Sequence, residues 1–485
     1  MKVITIDPIT RLEGHGKISI FLDERGNVAS AYLQVPELRG FERFCEGRRA
    51  ELMPQITSRI CGVCPVAHHM ASTKALDAAF HVDPPSAAKK LRELIYSGYY
   101  IYDHTLHFFY LGGPDFVVGP DAPPAERNIL GVIKKAGLEV GKEVIKHRAY
   151  GQKITAILGG KATHPVCGLP GGVSKSLSEE ERREIEKMAK SCVEFAQKAL
   201  QIFDQVVLKN QKYVELIKSD AYTLKTYYMG LVDDKNRVNF YDGKIRVVDP
   251  SGREFVKFSP SQYLDVIGEH VEDWTYVKFT YLKKVGWKGL VDGPDSGLYR
   301  VGPLGRLNAA DGMATPLAQQ EYERMYETLG GKPVHSTLAF HWARLIELLY
   351  ACERALELSQ DPEITSKDVR NPVGAPGEGV GVVEAARGTL YHHYQLTEDG
   401  LIKKANLIVA TTNNAAPICL SVKNAAKAFI SGGKVTDGIL NMVEMAFRAY
   451  DPCYACATHF ALGKMPLEVK IYDHERRLVR TLTRP

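Results

Sequence analysis

The first 35 residues alternate or cluster apolar positions with a period of two. KVITID, GKISIFLD and VASAYLQV are rich in β-branched residues, and DERGN between the last two carries turn residues. Three strands, two of them joined as a hairpin, are expected. From Pro65 the period changes to helical spacing. In SAAKKLRELIYSGYYIYDHTLHFFYLGG, Leu91, Leu94, Ile95, Ile101, Tyr102, Thr105 and Phe109 share one side, and the other side is aromatic rather than charged beyond Glu93. A helix apolar all round belongs inside a large domain. SLSEEERREIEKMAKSCVEFAQKALQIF opens on a capping box, Ser178 with Glu181. Its stripe of Ile185, Met188, Cys192, Phe195, Ala199 and Leu200 predicts a long helix.

Between about 220 and 310 the texture changes. RVNFYDGKIRVVDPSGREFVKF reads as strand, turn, strand, and Gly and Pro become denser, marking a β-containing insertion. Helical spacing returns in STLAFHWARLIELLYACERALELS. GVGVVEAARGTLYHHYQL and IKKANLIVATT read as strands, and helices follow at 419–431 and 437–449. The fold class is therefore α+β. A large, mainly helical core carries small β-structure at its N-terminal end and a mixed insertion, within one domain spanning 1–485.

Composition adds little to this picture. A hydrophobic fraction of 45% and a charged fraction of 25% are ordinary for a globular chain. The net charge of +5 comes without a Lys/Arg-dense block, because RAELMPQITSR and ERREIEK are mixed in sign, so nucleic-acid binding is not expected. No stretch is long and apolar enough for a membrane span, and MKVITIDPITRLEG lacks a secretory leader. The cytoplasm is the expected compartment.

The cysteines change the picture. Four of the nine form two Cys-x-x-Cys pairs, Cys61 with Cys64 in SRICGVCPVAHH and Cys453 with Cys456 in DPCYACATH. One tight turn can aim both sulfurs of such a pair at one ion. Two pairs suit zinc, an iron–sulfur cluster, or nickel and iron. A local zinc ribbon is excluded because most of the chain lies between the pairs, whereas a zinc tying the two ends together stays open. A dithiol redox pair lacks its βαβ setting. Arg59, His68, Asp451 and His459 lie within a few residues of the thiols, and acid, base and cation around four sulfurs suit a reactive centre better than a structural one. Cys45, Cys167, Cys192, Cys352 and Cys419 lack paired spacing and read as buried apolar residues.

RICGVC with its following histidine, together with DPCxxCxxH, resembles the signature pair of the large subunit of [NiFe]-hydrogenases. ITRLEGHG at 9–16, RGFE at 39–42, YDH at 102–104, HPVCGLPGG at 164–172 and EAARG at 384–388 resemble further motifs of that family in the same order, so the resemblance covers nearly the whole chain. It implies reversible oxidation of H2 to protons and electrons at a nickel–iron centre whose iron carries CO and two cyanide ligands. Cys61 and Cys453 match the terminal nickel thiolates, and Cys64 and Cys456 those bridging nickel to iron. The turns from both chain ends would then meet in the core.

Glu13 matches a carboxylate that takes a proton from a cysteine sulfur; the alternative is a turn carboxylate paired with Arg11. Asp103, Arg387 and Asp451 match residues above the open nickel face, although Ala386 replaces the usual proline before the arginine. His68 matches a histidine that hydrogen-bonds a bridging sulfur, whereas His69 reads as structural. Thr411 matches a hydroxyl that donates to cyanide, with Ala410 and Asn413 departing from the usual Pro and Trp. Glu42 and His459 match ligands of Mg²⁺ or a similar divalent cation.

The resemblance further implies an iron–sulfur small subunit, since the chain has no cysteine set left for an electron relay. Additional acceptor subunits would be of heterodisulfide reductase, NAD, NADP or deazaflavin type. The chain resembles the soluble cytoplasmic hydrogenases, and among them the methyl-viologen-reducing group linked to heterodisulfide reductase. It also implies a maturation endopeptidase that removes 460–485 as a propeptide; LEVKIYD alternatively reads as an ordinary terminal strand. The rival classes are an H2-sensing regulatory hydrogenase and a zinc-tied scaffold like the quinone-site subunit of complex I.

Overall fold

The computed structural model describes residues 2–458, 467–472 and 478–484. His459 and much of 460–485 lie outside them. At the front, β1 (Lys2–Ile6), β2 (Lys17–Leu22) and β3 (Val28–Gln34) form an antiparallel meander, with DERGN as the hairpin turn. Ile18, Ile20, Ala31 and Leu33 point inward by the strand alternation.

The core is helical. Helix α1 (Pro65–Ala79) is buried on nearly every face, as is α2 (Ser86–Leu106) through its aromatic second half. Beyond Leu106 the regular helix stops, and His107–Gly112 widen into a π-helical turn, a common device at functional sites. Against α2 lies α3 (Leu138–Gly159), and α4 (Glu179–Phe203) begins on the expected capping box. The apolar stripe of α4 buries Ile185, Met188, Cys192, Phe195, Ala199 and Leu200.

The 220–310 stretch is β-rich, as expected. Its four-stranded sheet runs β9 (Tyr299–Arg300), β4 (Tyr227–Val232), β5 (Lys244–Val248), β6 (Glu254–Phe258), with β9 parallel to β4 and the rest antiparallel. A hairpin, β7 (Ile267–His270) with β8 (Phe279–Leu282), lies beside it in sequence. The short helix α5 (Gly302–Ala309) packs on β4.

After α6 (Pro316–Leu329) and the buried α7 (Phe340–Gln360) comes a second antiparallel sheet. It contains β10 (Glu378–Ala385), β11 (Gly388–Leu396) and β12 (Ile402–Ile408). α1 lies against it so closely that a Cβ at Gly379 or Gly381 would come within 2.3 Å of α1 backbone. The strand in IKKANLIVATT ends earlier than its apolar run implies. Ala410–Asn413 turn helical, and Asn413 Nδ2 donates to Thr389 O instead of continuing a ladder. α8 (Ala415–Phe429) and α9 (Asp437–Arg448) lead into the second cysteine turn. Of the tail, β13 (Leu467–Tyr472) and β14 (Leu478–Arg484) pair as an antiparallel hairpin, which realises the alternation seen in LEVKIYD.

Candidate metal centre

Each cysteine pair sits in a turn anchored to a helix. Cys61 closes a 3₁₀ turn in extended conformation, and Cys64 caps α1, whose Pro65 suits a first helical position. The backbone N–H groups of Val63 and Cys64 donate to Cys61 Sγ at 3.2 and 3.3 Å. Cys453 and Cys456 flank and occupy the short helix Tyr454–Ala457, entered through Asp451 at φ 58°.

Three contacts bring these distant turns together. Glu13 forms a parallel bridge with Cys453, and Tyr454 N donates to Glu13 O at 3.0 Å. Arg39, in the RGFE motif, donates to Ile60 O at 2.5 Å and Ala455 O at 3.1 Å, spanning both turns with one guanidinium.

The four sulfurs form one buried cluster in which all Sγ atoms lie within 4.8 Å of one another. Cys61 and Cys453 are 3.4 Å apart, as are Cys64 and Cys456, and Cys453 and Cys456 are 2.6 Å apart. Burial and the neighbouring sulfurs push the Cys453 thiol well up, while hydrogen bonds from Cys453, Cys456 and Cys64 hold Cys61 well down. A thiol whose neighbours favour its ionised form is suited to a cation site, because cysteine binds metal as the thiolate.

Glu13 Oε2 lies 3.0 Å from Cys453 Sγ and accepts from Ala455 N at 3.1 Å. Burial and the nearby Cys61 raise its pKa. Arg11 does not pair with Glu13; it binds Asp115, Asn441 and Leu111 O. Glu13 opens instead onto a surface cleft of about 670 Å³, shared with the contacting pair His15 and Glu37.

Beside the thiols, Arg387 Nη1 meets Asp103 Oδ2 at 3.0 Å and its Nη2 meets Asp451 Oδ2 at 2.8 Å. All three residues are buried. Burial opposes the guanidinium charge, but Asp103 and Asp451 more than offset it and raise the Arg387 pKa. Burial lifts Asp451 to about 7 against the pull of Arg387.

Arg387 is in the tight β10–β11 turn, and its position rests on residues to which the sequence analysis gave no role at the site. Arg306 donates to Ala385 O and Ala386 O and pairs with Glu347 and Glu384. Tyr99 Oη accepts from Ala386 N, and Tyr96 and Tyr100 donate to Glu384 O. His107 donates to Arg448 O and lies 3.9 Å from Asp451. In the sequence, Glu384 opens the EAARG motif and the tyrosines and His107 belong to the aromatic stretch around Asp103, whereas nothing marked Arg306 or Glu347.

The remaining candidates divide. Thr411 Oγ1 accepts from Cys453 N at 3.0 Å, so its hydroxyl proton stays available. His68 meets His392 at 3.1 Å. His69 is structural, as expected: its Nδ1 donates to Pro54 O, and its Nε2 accepts from Gly168 N. Glu42 accepts from Leu407 N at 2.8 Å, and its expected co-ligand His459 lies outside the described residues. Arg59 is exposed and bonded to Gln55 O and Ser58, so the cation beside the thiols is Arg387.

Four buried sulfurs brought together from both chain ends, beside an acid and a buried Arg–Asp cluster, define a reactive metal centre. Comparison with known proteins agrees. The family described as nickel-dependent hydrogenase matches residues 39–128 and 142–459, and a HoxL-like family matches 3–38. The chain belongs to the nickel-dependent hydrogenase family.

It is 52% identical over 484 residues to an iron-sulfur subunit of the F420-non-reducing hydrogenase of Archaeoglobus profundus, covering 99% of each chain. It is 40% identical to the HoxS subunit beta of the NAD-reducing hydrogenase of Cupriavidus necator, covering 98% of each. A crystal structure of an NAD⁺-reducing [NiFe]-hydrogenase in its H2-reduced state superposes with a TM-score of 0.90 at 38% identity, covering 95% of this chain and 100% of that one. The chain is thus a catalytic hydrogenase subunit, and its four clustered cysteines are those of a nickel–iron centre. No helix among the described residues is long and apolar enough to cross a membrane.

Proposed function

We propose that this subunit cleaves and forms H2 heterolytically, with Cys61 and Cys453 as terminal and Cys64 and Cys456 as bridging thiolates. The observation that carries the reading is the Glu13 carboxylate 3.0 Å from Cys453 Sγ, at the edge of the four-sulfur cluster. The pairing of Cys61 with Cys453 and of Cys64 with Cys456 fits the division into terminal and bridging roles. The four thiolates would hold a nickel–iron centre, with CO and two cyanides on iron, which would supply the Lewis acidity and the electron acceptance that heterolytic H2 cleavage needs.

The chain's own residues handle the proton. Cys453 Sγ is placed to receive it, and Glu13, its affinity raised by burial, accepts it from the sulfur. The cleft with His15 and Glu37 then opens a way to solvent. Arg387, locked between Asp103 and Asp451, supplies a fixed cation beside the thiolates without reorganisation. Arg387 Nε and Thr412 Oγ1 are buried and lack a hydrogen-bond partner among the described residues, and Thr411 keeps its proton free. These are donors suited to cyanide nitrogens. Glu42 holds Mg²⁺ or a similar cation with His459.

Electrons leave through an iron–sulfur small subunit toward acceptor subunits of heterodisulfide reductase, NAD, NADP or deazaflavin type, in the cytoplasm. The names of the relatives as hydrogenase subunits support such an assembly. An endopeptidase removes 460–485 during maturation. One set of measurements on the purified complex tests the reading: metal analysis, infrared spectroscopy and the intact mass of this chain. Nickel, iron, CO and cyanide bands and a chain ending at His459 are expected. Zinc without those bands would refute the centre, and a mature chain ending at Pro485 would refute the cleavage.

A further inference from the structure

Away from the thiols, a cleft of about 390 Å³ opens between the 124–128 loop, residues 10–11 and helix α9. Three guanidiniums line it, those of Arg11, Arg127 and Arg448. Two of them are matched. Arg11 meets Asp115 Oδ1 at 2.5 Å and Asn441 Oδ1 at 3.0 Å. Arg448 lies 3.2 Å from Asp115 Oδ2, donates to Asn441 Oδ1 at 2.7 Å and pairs with Glu444. Asn441 Nδ2 also donates to Asp115 Oδ1 at 3.0 Å, so that carboxylate is already engaged.

Arg127 differs from both. It is only 8% exposed, yet its guanidinium makes no hydrogen bond or ion-pair contact among the described residues, and its Nε is shielded from solvent. Burial, helped by Arg11, lowers its pKa against the more distant pull of Asp115, Asp437 and Asp121. A desolvated cation without a contacting partner is costly. Its planar fork of N–H donors matches the paired oxygens of a carboxylate or phosphate.

We propose that this cleft binds a small free oxyanion, of carboxylate or phosphate type, whose oxygens accept from the Arg127 guanidinium. Arg11 and Arg448 add positive charge to the same cleft, although their own bonds are already made. Asp437 and Glu444 stand on its walls and repel a polyanion, which confines the site to small ions of low charge. The cleft is larger than one such ion, so the ion keeps part of its water shell. The site shares no residue with the four-sulfur cluster or with Glu13, and the proposal does not depend on the metals.

Titration calorimetry on the purified hydrogenase complex tests this with inorganic phosphate and with acetate, each at ionic strength held constant by chloride. Saturable binding of one ion per chain is expected for at least one of the two. Arg127→Met should weaken it by about tenfold or more, the loss of charge-assisted hydrogen bonds. Lys134→Met removes an exposed charge from the helix that follows and should leave binding unchanged. Arg127→Lys keeps the charge without the fork and should weaken binding less than Arg127→Met. Should Arg127→Met not fold, Arg127→Lys decides by the same comparison with wild type. No saturable binding of either ion by the wild-type complex would overturn the proposal. Equal binding in wild type and the Arg127 variants, or equal weakening by Lys134→Met, would overturn it too.

Discussion

At the residue scale, Glu13 combines the two properties a proton carrier needs. It touches Cys453 Sγ, and burial raises its proton affinity toward that of its partners. Replacing it with glutamine keeps the size and the hydrogen bond from Ala455 N but removes the titrating group. In Glu13→Gln we expect H2/D⁺ exchange to fall by about 10²-fold or more while nickel and iron content and the infrared bands persist. Exchange at the wild-type rate would place the relay elsewhere. Glu13 was legible in the sequence through its motif, which implied a proton taken from a cysteine sulfur; that the sulfur is that of Cys453 was not, because the two lie at opposite ends of the chain. His69 was legible in the weaker sense that a second histidine beside a candidate ligand is usually structural, and its two backbone partners bear that out.

At the scale of elements, the crossing of α2 and α3 positions Asp103. A Cβ added at Gly151 would lie 2.7 Å from Gly98 O and 2.8 Å from Tyr102 N, backbone atoms with little freedom to move. Gly151→Ala should therefore destabilise the fold by about 1–3 kcal/mol. Because Tyr102 precedes Asp103, it should lower activity more than the fraction unfolded explains, as denaturant titration compared with turnover will measure. Loss of activity in proportion to unfolding alone would show that the crossing does not set Asp103. The helix α3 was hard to read from sequence because Gly141, Gly151 and Gly159 weaken its helical signal. Those glycines are explained by the close packing itself. In contrast, α4 was fully legible, since its capping box and apolar stripe are local features.

At the scale of the whole molecule, the interior holds several histidines as neutral rings. Burial lowers His69 and His104 to about 4 and His341 to about 3, against an ordinary value of 6.5. Their folded pKa values lie below the unfolded one, so the stability they contribute is complete above pH 6.5 and is lost as pH falls toward 4. The thermal midpoint should drop across that window. In His69→Gln, which can keep both backbone hydrogen bonds but cannot titrate, the proton-linked slope should shrink by up to about one proton. An unchanged slope would mean that His69 is not among the groups that charge on unfolding.

The sequence by itself determined what depends on local order. Strand alternation, the capping box of α4 and the two Cys-x-x-Cys turns are carried by residues near one another in the chain, and the family by the order of such short motifs along it. Tertiary structure decided what depends on convergence. It supplied the contacts of Glu13 and Arg39 that join the two cysteine turns, left Arg59 on the surface while Arg387 stands beside the sulfurs, and recruited Arg306, Glu347 and Glu384 to hold the Arg387 turn. The physical reason is desolvation. A buried charge needs partners that complete its hydrogen bonds, and those partners are chosen by which surfaces meet in space, which no local spacing along the chain records.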